Sequence, residues 1–315
     1  MICGFLATLI SIERAVALGR GWAYAAPLLT GLGGVAILLG APPVMARGAM
    51  VVGSGVFVAA SVAIVIRQPA NHTVTMALGA VALGIGNGLW WLNRPVFQVV
   101  WWWVTFLLLT IAGERLELSR LVRRPRWAGS AFVAATAVVL LGVVASTWFL
   151  HIGSRVTGTG MLALACWLGL NDAARRTVRQ RGLTRYVAVC LLSGYVWLAV
   201  SAILLIWYGP VTAGTQYDAV LHAFFIGFVF SMIFGHAPII LPAVLRLTVH
   251  YRASFYLPLA LLHISVLARV AGDVGGFPKA RIWGGALNAI AILLFLATVA
   301  LSGRTGPVRL STSKP

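Results

Sequence analysis

Apolar residues fall along this chain in long blocks, each closed by a short polar or basic segment, and block length identifies the elements. A helix rising about 1.5 Å per residue needs about 17 to 25 apolar residues to cross a hydrocarbon core near 30 Å. Such blocks lie near residues 1–18, 22–40, 48–66, 74–92, 96–113, 128–149, 157–171, 183–208, 217–247, 254–272 and 281–302. Backbone polar groups in hydrocarbon must be satisfied within the segment, so each block predicts a helix. The eleven blocks together predict an all-α, polytopic transmembrane helical bundle. Residues 1–315 read as one transmembrane domain that ends in a short basic cytoplasmic tail over 303–315. The first block reaches Glu13 after about a dozen residues, roughly 18 Å of helix, and Met1 already lies in apolar sequence. That shortfall predicts an upstream in-frame segment that completes the span, carries a histidine and adds a twelfth span.

Composition narrows the class. Sixty per cent hydrophobic residues and ten per cent charged ones, with a mean hydropathy of +0.95, exclude a soluble globular chain. The net charge of +18 therefore points to the bilayer and not to nucleic acid. Loops after odd-numbered blocks, with the tail, hold eighteen of the 24 basic residues, and loops after even-numbered blocks hold six. Basic residues gather on the cytoplasmic side, so the C-terminus is expected in the cytoplasm of a bacterial inner membrane. Trp90, Trp91, Trp101, Trp102, Trp103, Trp148, Trp207, Tyr208 and Tyr217 are expected to form an aromatic belt at the opposite surface. Cys3, Cys166 and Cys190 are scattered through apolar runs and predict neither a disulfide framework nor a ligand set. Loops are too short for a soluble catalytic domain.

Chemistry concentrates in one stretch, Tyr217–Arg252, which carries Asp218, His222 and His236 in an apolar run. Polar groups in hydrocarbon are costly and mark function. Fourteen residues of uniform α-helix fall about 40° short of four turns, which places His222 and His236 on one stripe about 21 Å apart, with Met232 on the face between. Pro238 and Pro242 predict an interruption just past His236. His263 lies in the tenth block at a depth close to that of His222, and Arg269 and Asp273 share its outer half. Asp218, Arg269 and Asp273 read either as groups that orient an imidazole or pair with a propionate, or as a plain ion pair between helices. His72, His151 and His250 fall in loops. No paired carboxylates, serine elbow or Cys–His metal spacing point to a soluble-enzyme site. Imidazoles within a helical bundle suit haem iron, copper or a proton path.

Two further patterns concern packing. FLATLISIERAVALGR and FLLLTIAGERLELSR echo one another, with Glu13-Arg14 and Glu114-Arg115 a hundred and one residues apart. The echo fits either a four-helix repeat or independent salt bridges at cytoplasmic helix ends. GLGG at 31–34 and GIGNG at 84–88 predict close helix contact, with Asn87 as an interhelical hydrogen bond.

The segments GFLATLISIERAVALGR, LHAFFIGFVFSMIFGHAPIILPAVLRL and LLHISVLARVAGD resemble those of bacterial NnrS-like membrane proteins, about a quarter of the chain. That family is distantly similar to subunit I of haem-copper oxidases. The resemblance implies a haem-binding inner-membrane protein, sometimes with copper, tied to nitric oxide or nitrosative stress and to a redox partner. His222, His236 and His263 are then candidate cofactor ligands, His222 and His263 for haem iron. Oxidase subunits have twelve spans in three arcs of four, which matches the suspected period. The match is incomplete: oxidases carry a His pair two residues apart and a His-His pair, and neither occurs here. An oxygen-reducing binuclear centre is not expected. The histidine that precedes GFLATLISIERAVAL in relatives lies beyond this chain's start. Two other classes fit the same residues: a secondary transporter with a His/Asp/Arg proton or substrate path, and a non-catalytic membrane assembly factor.

Overall fold

The computed structural model describes residues 2–120, 122–245, 248, 249 and 251–304; at 2, 241–245, 248, 249, 303 and 304 only the backbone is described. His250 and the tail beyond Arg304, both named above, lie outside those residues. The described chain is helical, apart from a two-residue pairing of Thr248–Val249 with Gly303–Arg304. The helices are α1 (Ile2–Leu18), α2 (Ala25–Leu38), α3 (Pro43–Arg67), α4 (Asn71–Trp91), α5 (Val96–Leu118), α6 (Trp127–Ser146), α7 (Leu150–Asn171), the short α8 (Ala174–Thr177), α9 (Gly182–Tyr208), α10 (Gly214–His222), α11 (Phe230–Leu245), α12 (Tyr256–Gly275) and α13 (Pro278–Ser302). A π-helical segment, Ala223–Val229, joins α10 to α11 without a break. Helix therefore occupies every predicted block. Nine of these stretches, among the described residues, are long and apolar enough to cross a membrane. α1 and α7 fall outside that set: α1 has only 17 residues, and α7 carries His151 and Arg155 in its first turns.

The chain packs as two compact units, residues 1–168 with 205–212, and 169–204 with 213–315. In the first, α5 is the buried centre, with Trp101, Trp102, Val104 and Phe106–Leu109 all inside. This corrects the belt expectation for Trp101 and Trp102, which are core residues; Trp148 and Trp207 are well exposed. Glycines let the neighbours close in as predicted. A Cβ on Gly33 would meet Met50 Cγ at 2.6 Å and the Ala46 carbonyl at 2.9 Å, so α2 and α3 touch backbone to backbone. Asn87 does bridge helices: Trp103 Nε1 donates to its Oδ1 at 3.0 Å, and its Nδ2 donates to the Met50 carbonyl at 3.4 Å. The two halves of the sequence echo meet directly, since Arg14 Nη2 donates to Glu114 Oε1 at 3.1 Å.

The second unit holds the sequence-predicted site. Its core is Tyr186, Cys190, Phe234, Phe255, Leu259, Leu262, Ala291, Phe295 and Val299, with Phe234 and Phe295 stacked at 3.8 Å. α12 and α13 form a tight hairpin. Gly276 takes a left-handed backbone (φ 69°), and Phe277 N–H returns to the Gly272 carbonyl at 2.9 Å, a glycine-terminated helix end. The helices then run in contact. A Cβ on Gly272 would lie 2.7 Å from Arg281 N, and one on Gly284 would lie 2.6 Å from Arg269 N. That closeness sets the charged side chains of both helices face to face.

Candidate functional site

Asp218 lies in α10, Arg269 and Asp273 are one turn apart near the end of α12, and Arg281 is in the first turn of α13. Arg269 Nη2 donates to Asp218 Oδ2 at 2.6 Å, and its Nε faces Asp273 Oδ2 at 3.3 Å. Arg281 Nη2 donates to the same Asp218 oxygen at 3.1 Å, while its Nε pairs with Asp273 Oδ1. Each carboxylate thus meets both guanidiniums, and the four charges cancel. Arg269 Nη1 also donates to the Arg281 carbonyl at 2.9 Å, which fixes the α12–α13 register at the cluster. The Asp273 side chain has 0% exposure and that of Asp218 33%, so one carboxylate is sealed and the other is partly open.

His222, one turn after Asp218, completes the group. A nitrogen of His222 and one oxygen each of Asp218 and Asp273 lie within 4.8 Å of one another. Those are metal-ligand atom types. Both carboxylates are already neutralised by guanidiniums, however, and a divalent cation would have to displace them from a largely buried position, so the set does not fit a cation. His222 Nδ1 is 2.9 Å from the Asp218 carbonyl. A carbonyl only accepts, so Nδ1 carries the hydrogen and the lone pair sits on Nε2. His236 repeats this one helix later, with Nδ1 2.7 Å from the carbonyl of the buried Met232.

His263 is arranged the opposite way. Trp197 Nε1, a donor only, bonds to His263 Nδ1 at 3.0 Å, so the neutral ring's lone pair is spent and Nε2 carries the hydrogen. That Nε2 is buried without a hydrogen-bond partner. The indole is held from its other side by Gly227: a Cβ there would lie 2.5 Å from Trp197 Cγ and 2.7 Å from its Cβ. Only glycine lets α9 approach the π segment this closely.

Two expectations are corrected. α11 runs through Pro238 and Pro242 to Leu245, and the irregularity lies upstream, in the π segment that begins directly after His222. Proline removes one ladder bond and bends a helix without having to end it. The single stripe for His222 and His236 also fails, because it assumed uniform α geometry. A π insertion adds roughly one residue to the ladder and turns everything beyond it by about 100°. Haem can be tested against these positions. Fourteen residues on one helix separate His222 from His236 by about 20 Å, so the two do not flank one iron. His263 lacks a lone pair in its present bond. His222 and His236, each as a single axial ligand, retain the arrangement of a ligating imidazole.

Arg281 and Trp197 were not among the residues predicted for the site. Gly275-Gly276-Phe277-Pro278 was the signal for Arg281, since so short a turn folds 281 back onto 269–273. For Trp197 the signal was Gly194, three residues before it on the same helix face.

Fold and site define a many-helix protein of membrane type with a charge-balanced cluster inside its apolar helices. The chain belongs to the family described as Domain of unknown function (DUF8744), which matches residues 1–304. No curated protein and no solved structure matches it.

Proposed function

We propose that this chain is a bacterial inner-membrane protein of the secondary-transporter class, in which Asp218, Arg269, Asp273, Arg281 and His222 form the polar site for a proton or a small polar substrate. The observation that carries the reading is the cluster itself: two carboxylates and two guanidiniums on three apolar helices, beside an imidazole at the edge of a π segment. Ionisable groups on membrane-crossing helices face a pathway or each other, and irregular helix is tolerated where it lines a site. The cluster has a chemical consequence. A proton on Asp218, its more exposed carboxylate, would release Arg269 and Arg281 from one partner and leave them to an incoming anionic group. The eighteen-to-six distribution of basic residues supports eleven crossings with a cytoplasmic C-terminus.

The test uses the full chain in liposomes loaded with a pH-sensitive dye, challenged with small carboxylates, amino acids and amines. Substrate-dependent proton movement that disappears in D218N supports the reading. Absence of any such movement with the folded wild-type chain across that panel overturns it. A second reading, the haem-binding NnrS-like protein, draws on the His222 tautomer, whose Nε2 lone pair suits iron. Purified protein with a Soret band that is lost in H222A would establish that reading instead.

A further inference from the structure

At the start of α9 the second unit contains a cavity separate from the ion cluster. Its volume is about 470 Å³, and it is lined by Arg181, Gly182, Arg185, Val189, Tyr251 and Tyr256. Volumes in this range suit small ligands or headgroups. Arg181 immediately precedes α9 and Arg185 is in its first turn, and both side chains line the cavity. The helix adds the positive end of its dipole at the same place. Neither guanidinium has a carboxylate partner among the described residues. The tyrosine walls are held in place: the fully buried Tyr186 ring lies 5.9 Å from that of Tyr251 and 5.3 Å from that of Tyr256.

Two guanidiniums and two phenols around a small space, with Val189 as the apolar wall, complement a phosphate ester. A free phosphate would satisfy the polar groups equally. The position favours a lipid, because α9 leaves Val196 and Ile203 exposed further along, where acyl chains can lie. The loop before α9 also belongs to the basic side of the chain, which faces the anionic leaflet. We propose that this cavity is a headgroup site for an anionic phospholipid, with the phosphodiester held by Arg181 and Arg185 and hydrogen-bonded by Tyr251 and Tyr256. The proposal does not depend on how the ion cluster functions.

Native mass spectrometry of the full chain in a neutral detergent tests it, with phosphatidylglycerol, phosphatidylcholine and inorganic phosphate as probes. Wild type is expected to retain phosphatidylglycerol in preference to phosphatidylcholine. R181Q/R185Q should weaken retention roughly 25-fold, about fivefold for each arginine near an anionic surface. R176Q/R179Q removes the same charge from positions exposed like Arg181 and Arg185 but not lining the cavity, and should change retention by less than about twofold because those side chains do not meet the headgroup. Y251F/Y256F keeps the rings, loses both hydroxyls, and should weaken retention several-fold even if the arginine pair proves necessary for folding. Four results would each overturn the proposal: equal loss in both arginine pairs, full retention in both R181Q/R185Q and Y251F/Y256F, no preference over phosphatidylcholine, or displacement of the lipid by inorganic phosphate.

Discussion

Replacing Asp273 by Asn preserves shape and removes one charge from a cluster that sums to zero. Two guanidiniums would then share the single carboxylate of Asp218, leaving a net positive charge inside apolar helices. The Asp273 side chain is fully buried, and its partners Arg269 and Arg281 are 17% and 32% exposed, so water relieves the arginines in part. Removing one partner of a buried ion pair costs about 3–5 kcal/mol, and D273N is expected near the lower figure because Arg281 reaches solvent. D218N acts on a carboxylate one-third exposed and should cost about 1–2 kcal/mol. The decisive comparison is the double variant D273N/R281Q. It restores neutrality, and coupling between the two positions should make it more stable than the sum of its single changes predicts. Unfolding of the purified chain in mixed micelles by increasing sodium dodecyl sulfate, followed by circular dichroism, measures wild type, D273N, D218N, R281Q and the double variant. D273N within about 1 kcal/mol of wild type, or a double variant that is merely additive, would refute the claim that the four charges act as one unit.

Two other perturbations probe the surroundings. Gly227→Ala places a methyl group against the base of the Trp197 side chain, which cannot swing away while bonded to His263; it should destabilise by about 1–3 kcal/mol despite alanine's better helix propensity, and Trp197→Ala in the same chain should recover part of that loss in the same unfolding assay. Arg14→Gln strands Glu114 in the first unit and should lower the thermal midpoint of the detergent-purified chain, whereas R14Q/E114Q should recover most of it.

Block length carried the fold, because crossing length is a one-dimensional quantity: a helix occupies every predicted block, and boundaries moved mainly where polar residues opened a helix, as at Leu150–Arg155 of α7. The site was legible in part for the same reason. Depth along a helix adds up residue by residue, and it brought Asp218, Arg269 and Asp273 to one level, where the structure joins them. Rotation about a helix does not survive such addition. One π segment between His222 and His236 carries an angular error through every later residue of that helix, and AFFIGFV contains no proline to announce it. The indication that was present lay on another helix, in the bulky Trp197 that Gly227 must accommodate.

The acidic residues decide how the basic ones should be read. The chain has six, and the structure engages all of them internally. Glu13 and Glu114 lie 4.0 and 3.1 Å from Arg14, and Glu117 lies 4.0 Å from His72. Asp172 accepts from Tyr195 Oη at 2.9 Å and from Ala174 N–H at 2.7 Å. Asp218 and Asp273 are held by Arg269 and Arg281. No carboxylate is left to answer the net charge of +18, so the counter-charge must come from outside the chain. If solvent ions supplied it, the arginines would be expected on both ends of the helices alike. Eighteen of 24 basic residues gather after odd-numbered blocks; under the proposed eleven crossings these share one side, where an anionic leaflet would answer them.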